Sequence, residues 1–517
     1  MTTSATTPRP AGRGARLDAR ALRDIVLDPG SWRSWDSPAP PREVDDAYAA
    51  ELARAAEKSG QDEAVVTGEG TLRGRRVAVV AGEFGFLAGS IGVATAERLM
   101  AAVERATDEG LPLLAAPVSG GTRMQEGTVA FLQMIGITAA IARHKEAGLP
   151  YLVYLRGPTF GGVLASWGSL GHVTIAEPGA AIGFLGPRVY EALYGEPFPP
   201  GVQTSENMAS RGLIDGVVPV DELADVADRA LRVLAARATW HRSAAVEGPV
   251  EGDGTDADDP EDGRSAWDVV TASRRKERPG ARQLLRTAAT DVVTLNGTGA
   301  GESDPGLLLA LARFGGAPCV VLGQDRRGQS LSAPLGPGAL REARRGMRLA
   351  AELRLPLLTL IDTPGAALSV AAEEGGLAGE IARCLQDMVM LQAPTLAVLL
   401  GQGTGGGALA LVPADRVLAA ANGWLGPLPP EGASAIVHRT VDRADELAAS
   451  QGVRATDLWR AGIVDRVVPE RPDAADEPVE FCQRLGRVLA QELAGLLGRD
   501  DVERVRARTR RWRHLGR

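Results

Sequence analysis

Between residues 112 and 468 the chain makes nearly the same statement twice. Leu-Pro-Leu-Leu at 111–114 returns at 355–358, and Leu-Pro-Tyr-Leu-Val-Tyr-Leu at 149–155 returns as Ala-Pro-Thr-Leu-Ala-Val-Leu-Leu at 393–400. Gly161-Gly162 is answered by Gly405-Gly406-Gly407, and Gly-Phe-Leu-Gly-Pro at 183–187 by Gly-Trp-Leu-Gly-Pro at 423–427. Gly-Leu-Ile-Asp-Gly-Val-Val-Pro at 212–219 is matched by Gly-Ile-Val-Asp-Arg-Val-Val-Pro at 462–469. Pro112 and Pro150 stand 38 residues apart, as do Pro356 and Pro394. A period of roughly 245 residues is far too long for a solenoid and describes two copies of one domain. Two like domains usually build their site between them.

At 517 residues the chain exceeds what one hydrophobic core supports, so two core domains with extensions are expected. No apolar run approaches the ~18 residues that a membrane helix needs. The N-terminus lacks the apolar stretch of a signal peptide, so a cytoplasmic address is expected. Cys319, Cys384 and Cys482 lie far apart and outside any Cys-x-x-Cys pair, which excludes a disulfide framework and a zinc ribbon and reads them as small buried apolar residues. A net charge of -8 gives no general attraction to nucleic acid, and the basic run at 504–513 reads as a solvated helix or tail. Only Lys58, Lys145 and Lys276 among the basic residues are lysines, and none lies in a Gly-Lys-Ser/Thr phosphate loop. The chain is not expected to hydrolyse ATP.

Residues 1–60 read as an N-terminal extension that opens on a disordered Pro/Ala/Arg segment and ends in a helix near Ser59. The first domain covers 61–243. In it, Val65 begins a hairpin that turns at Arg73-Gly74, a helix runs from about Gly92 to Glu109, and a strand covers 111–118. The acidic stretch 244–265 has too few apolar residues for a core and is the expected linker. The second domain covers 266–500, and 501–517 is a basic tail. Short apolar strands alternating with helices predict α/β units with parallel pairing.

Each half carries two strand-to-helix turns rich in glycine. The first has Ser119-Gly120-Gly121-Thr122-Arg123 and Gly161-Gly162; the second has Asp362-Thr363-Pro364-Gly365-Ala366 and the run from Gly401 to Ala408. Glycines let the backbone approach a ligand, and bare amides at a helix start attract negative charge. Two such amides aimed at a developing oxyanion form an oxyanion hole. One Gly-Gly turn alone is more often plain packing; four at corresponding positions of two repeats argue for function. Gly401-x-Gly403-x-x-Gly406 also matches a dinucleotide fingerprint, but no acid follows about 20 residues on to hold a ribose. None of the five histidines, His144, His172, His241, His438 and His514, lies in a turn, and no metal set accompanies them. Glu126, Glu373, Glu374 and Glu431 lie near the turns, where acids also serve the helix dipole. Many oxyanion donors with few bases suit a reaction whose substrate brings its own base.

At these residues the chain resembles the carboxyltransferase of biotin-dependent acyl-CoA carboxylases, in the form of fused bacterial acetyl-CoA carboxylase β and α subunits. The β-like motifs are Phe84-Gly-Phe-Leu-Ala-Gly-Ser, Ser119-Gly-Gly-Thr-Arg-Met-Gln-Glu-Gly, Pro158-Thr-Phe-Gly-Gly, Gly183-Phe-Leu-Gly-Pro-Arg and Ser205-Glu. The α-like motifs are Ile361-Asp-Thr-Pro-Gly-Ala, Ala372-Glu-Glu-Gly-Gly, Gly403-Thr-Gly-Gly-Gly-Ala and Pro430-Glu-Gly-Ala-Ser. The resemblance implies two tandem crotonase-like domains, ββα spirals of the ClpP/crotonase superfamily. It implies transfer of CO2 from carboxybiotin to the α-carbon of acetyl-CoA, or of a larger acyl-CoA, with the biotin ureido anion as base. Carried over by position, Gly120 and Gly121 form the hole for the thioester oxygen, and Gly406, Gly407 and Ala408 the one for the ureido oxygen. Ser119, Arg123, Gly161, Gly162, Gly186, Arg188, Gly365, Ala366, Glu431 and Gly432 are the expected substrate-binding residues. No metal is expected in this chain.

None of the three lysines is flanked by methionines as a biotin attachment site is, so a separate biotin carboxyl carrier protein and a biotin carboxylase are the implied partners. A homodimer or higher homo-oligomer, with substrates meeting between unlike halves, is implied as well. The chain departs from the family in three places: it lacks the β subunit's four-cysteine zinc ribbon, it has Ala367-Leu368-Ser369 for Tyr-Pro-Gly, and it has Gly328 to Gly338 for an Arg-Asn-Phe-Gly segment. Two further readings stay open: a biotin-independent malonyl-thioester decarboxylase, and a non-catalytic CoA-binding subunit. A dinucleotide oxidoreductase rests on the one fingerprint alone.

Overall fold

The computed structural model describes residues 17–38, 44–236, 263–330 and 334–513; of Arg188 it describes the backbone only. In the first unit, β1 (Arg33–Ser34) edges the hairpin of β2 (Val65–Leu72) and β3 (Arg75–Gly82). β4 (Leu113–Ala116), β5 (Tyr151–Leu155), β7 (Val173–Ala176) and β9 (Gly216–Val217) continue the sheet in parallel, while β6 (Thr159–Phe160) and β8 (Ile182–Gly183) form a small ladder of their own. The second unit repeats the order. β10 (Thr290–Leu295) edges the hairpin of β11 (Leu307–Phe314) and β12 (Ala317–Gln324); β13 (Leu357–Thr363), β14 (Thr395–Thr404), β15 (Arg416–Ala420) and β17 (Arg466–Val468) follow in parallel, with β16 (Trp424–Gly426) on β14.

The repeated sequence marks explain why. Leu72 pairs with Arg75, so the first hairpin turns on Arg73 and Gly74, both left-handed at φ 50° and 79°, as a two-residue type I′ turn requires. Each repeated proline stands just before its strand, where a missing N–H costs no ladder bond. Its carbonyl accepts from the neighbouring strand: Pro112 from Ala78 at 2.9 Å and Pro356 from Val320 at 2.8 Å, Pro150 from Leu113 at 2.9 Å and Pro394 from Leu357 at 2.7 Å. Asp215 and Asp465 cap the next strand start, accepting from the amides of Thr174 at 2.8 Å and Val417 at 2.7 Å.

One apolar core runs through both units. It joins helices Ala19–Val26 and Val220–Leu234 of the first to helix Pro337–Leu353 of the second. The opposite faces are covered by helices Val93–Asp108 and Gly127–Glu146 in the first unit and by Ala281–Ala288 and Pro478–Leu497 in the second. The units thus stack in one sense rather than face to face. No described helix is long and apolar enough to cross a membrane.

Two readings of the chain ends change. Residues 17–38 are built into the first unit: β1 pairs with β2, and the Asp28 carboxylate accepts from the Arg73 and Gly74 amides at 3.1 and 2.8 Å. The basic tail is no solvated arm. Helix Asp501–Arg513 buries Arg504 and Arg508 against Asp415 at 3.0 and 2.8 Å, because the carbonyls of Met388, Leu391 and Ala393 at the end of helix Leu377–Met390 need donors that Arg508 supplies. The segment read as disordered at the N-terminus and most of the acidic linker, along with His241 and His514, lie outside the described residues.

Candidate active site

All four glycine turns stand at the carboxyl ends of parallel strands, after β4, β5, β13 and β14, where connections leave a twisted sheet open to a ligand. The two units build them alike. Ser119 Oγ accepts from the Gly121 amide at 3.0 Å and donates to its carbonyl at 3.2 Å; Thr363 Oγ1 serves Gly365 at 3.2 and 3.1 Å. Gly121 and Gly365 hold φ of 119° and 132°, which a side chain would strain, and Gly161 and Gly405 match at 64° and 63°. Short bridges set Ile91 beside Thr122 in the first unit and Leu335 beside Ala366 in the second. The divergent segment before helix Pro337–Leu353 therefore still supports its turn as the first unit does.

Hydrogen bonding decides which amides are open. The Gly120 amide donates to the Ala88 carbonyl at 2.8 Å and the Gly121 amide to Ser119 Oγ. Neither can turn to a ligand without breaking an internal bond, which corrects the expectation that these two form the first hole. Thr122 and Gly162 are neighbours whose amides find no acceptor among the described residues; a Cβ at Gly162 would lie 3.5 Å from Thr122 Oγ1. In the second unit, Gly406 and Gly407 lie in the first turn of helix Gly405–Leu409, where no carbonyl four residues back is available inside the helix. Ala408 is the first residue whose amide can close on Thr404, so it is the weakest donor of its three. Gly407 packs on Ala366, whose amide nitrogen would lie 3.4 Å from a Cβ at 407, and Leu335 would stand 3.2 Å from it. That cradle is shaped for backbone, not for side chain.

Of the expected binding residues, the structure gathers Ser119, Gly161 and Gly162 around the first turn, and the Gly161 amide donates to the Gly183 and Phe184 carbonyls; Gly186 stands just beyond, at the start of helix Pro187–Tyr194. Gly365 and Ala366 meet the 405–408 turn, and Gly426 pairs with Thr404 shortly before Glu431 and Gly432. Arg123 departs. Its buried guanidinium is held by Glu63 at 2.8 and 2.9 Å, the Ser90 carbonyl at 2.8 Å and Thr95 at 3.1 Å, so it fixes the turn from behind and cannot reach a substrate. Ser119, also buried, likewise positions Gly121. Glu431 pairs with Arg274 at 2.6 and 3.0 Å. The Arg188 side chain lies outside the described residues.

Sequence reading missed two amide side chains. Gln324, at the end of β12, donates to the Gly407 carbonyl at 2.7 Å, and its buried Oε1 has no partner. Gln329 donates to the Asp362 carbonyl at 3.2 Å and accepts from Thr363 at 2.6 Å, holding the start of the 362–366 turn. A glutamine ending a hairpin strand was the available signal. Glu126 is engaged by Tyr48 and by the Val93 amide at 2.6 Å each, which bears out its role at a helix start. His144 and His172 are buried in the fold away from the turns, and the three cysteines are buried, with the Cys384 and Cys482 thiols pushed up to about 12 by burial. No group of metal-ligating side chains exists among the described residues.

The carboxyl transferase domain model matches residues 12–498. The probable biotin-dependent acyl-coenzyme A carboxylase beta3 subunit of Mycobacterium tuberculosis is 60% identical across 97% of this chain and 99% of its own. The acetyl-coenzyme A carboxylase carboxyl transferase subunits beta/alpha of Salinispora tropica are 38% identical across 98% of this chain and 92% of theirs. Among solved structures, transcarboxylase 12S with hydrolysed methylmalonyl-coenzyme A bound superposes with a TM-score of 0.69 at 22% identity, covering 91% of this chain and 89% of that one. A single-chain long-chain acyl-CoA carboxylase gives 0.66 at 20% identity, covering 90% and 45%. The fold is two tandem crotonase-like units.

Proposed function

Since the chain belongs to the carboxyl transferase domain family, we propose that it transfers a carboxyl group from biotin on a separate carrier protein to the α-carbon of an acyl-CoA, with acetyl-CoA giving malonyl-CoA as the first substrate to test. The observation that carries this reading is the pair of equivalent amide cradles, one per unit, with neither a histidine nor an uncommitted buried carboxylate at either turn among the described residues. Carboxylated biotin, when bound, supplies both the CO2 and the base. What remains for this chain is to hold a thioester oxygen as it gains charge, and the amides of Thr122 and Gly162 suit that role. Loss of one such donor typically costs ~3 kcal/mol of transition-state stabilisation. The amides of Ala366, Gly406 and Gly407 suit the ureido oxygen of biotin. The drifted Ala367-Leu368-Ser369 leaves this cradle in place: the Ala367 amide donates to Leu335, and Ser369 caps the next short helix.

The partners follow from the same reading: a biotin carboxyl carrier, a biotin carboxylase and a second copy of this chain. Exposed apolar side chains flank the sites of both units, among them Phe131 and Ile135 in the first and Leu368 and Ile436 in the second. Patches of this kind mark association surfaces. The deciding assay runs the reaction backwards, with purified chain, malonyl-CoA and free biotin or biotinylated carrier. Biotin-dependent loss of malonyl-CoA is the expected outcome. Biotin-independent CO2 release would identify a decarboxylase instead, and inertness with CoA still bound would identify a binding subunit.

A further inference from the structure

A cavity of about 620 Å³ opens where the two units meet, within the size range of small-molecule sites. The first unit lines it with Leu164, Leu170, Phe198, Met208 and Leu213, and helix Pro337–Leu353 of the second adds Leu349. None of these side chains belongs to a glycine turn. Another wall is β8 with Phe184, and the Gly183 and Phe184 carbonyls accept from the Gly161 amide at 3.2 and 3.1 Å. The cavity thus backs onto the strand that holds the second turn of the first unit.

The charges around it do not balance. Asp215 is matched by Arg345 at 2.9 Å and Glu352 by Lys145 at 3.2 Å, so both acids are neutralised. Arg348, on the same helix as Arg345, is left over: it makes no hydrogen bond or ion pair among the described residues, and Glu352 and Asp387 attract it only from beyond contact distance. Partial burial and the charge of Arg344 pull its pKa below the ordinary value, as for a cation short of a counter-ion. A second donor lines the same cavity. His172 Nδ1 accepts from the Tyr151 amide at 2.9 Å, which puts the hydrogen of the neutral ring on Nε2. That buried nitrogen makes no hydrogen bond, the Glu352 carboxylate at 3.2 Å lying off its N–H direction. One surplus positive charge and one open donor beside an apolar wall call for a single anionic group on an apolar body. An inorganic anion would leave the apolar wall wet, and a dianion would exceed the spare charge.

We propose that this junction cavity binds an alkyl carboxylate, its head group toward Arg348 and His172 and its chain along Met208, Leu213 and Leu349, and that the bound chain braces β8 and with it the Gly161 turn. The site stands apart from the turns and does not depend on the carboxyl-transfer reading. The test is calorimetric titration of the full chain with dodecanoate below its micelle concentration, and with dodecyltrimethylammonium as a cation of equal chain length, for wild type, Arg348→Ala, Arg348→Lys and Leu213→Asp. Arg348 and Leu213 are exposed, so the variants are expected to fold, which circular dichroism checks. Wild type should take up one dodecanoate per chain and not the ammonium. Arg348→Ala should bind it about tenfold more weakly, Arg348→Lys should keep most of the affinity, and Leu213→Asp should lose it. Amide exchange across 159–163, read by mass spectrometry, should slow severalfold with dodecanoate bound. No uptake by wild type, equal uptake of both amphiphiles, or an Arg348→Ala or Leu213→Asp chain within twofold of wild type would overturn the site. Bound dodecanoate with unchanged exchange would overturn the bracing of the turn.

Discussion

Single side chains in this protein are decided by what surrounds them. Arg123 sits in the most telling motif of the first half, yet burial and Glu63 make it a structural cation. Burial alone would raise the Glu63 carboxyl, but the hydrogen bonds and charge of Arg123 win and hold it below its usual value of 4.5. The pair therefore stabilises the fold above that pH and loses its contribution as acid protonates the folded carboxyl. Arg123→Ala should cost about 3–5 kcal/mol in a urea titration, since it strands a buried carboxylate. His144 acts in the other direction. Burial pushes its pKa from 6.5 down to about 4, so the unfolded chain takes up a proton that the folded chain refuses. Stability should fall between pH 6.5 and 4 by up to roughly 3 kcal/mol and stay flat for this group above 6.5. A His144→Gln chain should lose that slope in unfolding curves measured across the same range.

At the scale of elements, the turns and the terminal helix carry the testable consequences. Gly121→Val places a Cβ at a φ of 119° and disturbs the Ser119 clasp that fixes Thr122. Turnover should drop by about a hundredfold or more, as for a lost oxyanion donor, while far-ultraviolet dichroism stays native. Unchanged kcat would remove this turn from the active site. Ending the chain at Asp500 removes the two guanidinium groups on Asp415 and leaves a buried carboxylate with only the Thr395 amide and hydroxyl at 2.8 and 3.0 Å. A loss of about 3–5 kcal/mol is expected in denaturant unfolding. The same strand-start amide in the first unit is met by His172 Nδ1 at 2.9 Å, so the two copies satisfy one backbone need with different chemistry. The elements themselves were legible because hairpin glycine, strand-start proline and repeated aspartate each act within a few residues of where they stand. The terminal helix was not, because arginines spaced along a polar helix look solvated until a distant carboxylate is brought to them.

For the whole molecule, the continuous core makes the units one body, and the junction is pinned electrostatically as well. Asp215 of the first unit pairs with Arg345 of the second at 2.9 Å, and Glu352 of the second with Lys145 and His172 of the first at 3.2 Å each. Burial alone would raise the Glu352 carboxyl, but the contact with His172 and the charge of Lys145 hold it down at about 2. The apolar faces beside the two sites look outward. Replacing Phe131 and Ile436 together with aspartate should therefore leave the fold intact, reduce the particle to a single chain in light scattering and abolish carboxyl transfer with it. A fully active single chain would show that each site is complete within one copy.

The duplication, the two parallel α/β units and the placing of four glycine turns at strand ends can be read from the chain, because periodicity, proline and glycine act on the local backbone. What those turns can do depends on long-range packing. The Gly120 amide is spent on a carbonyl of another segment, Arg123 is claimed by Glu63, and Gln324 and Gln329 hold the second-unit turns from β12 and the connection after it. A hydrogen-bond donor is open or closed according to the acceptor that folding brings to it, and these acceptors come from segments remote in sequence.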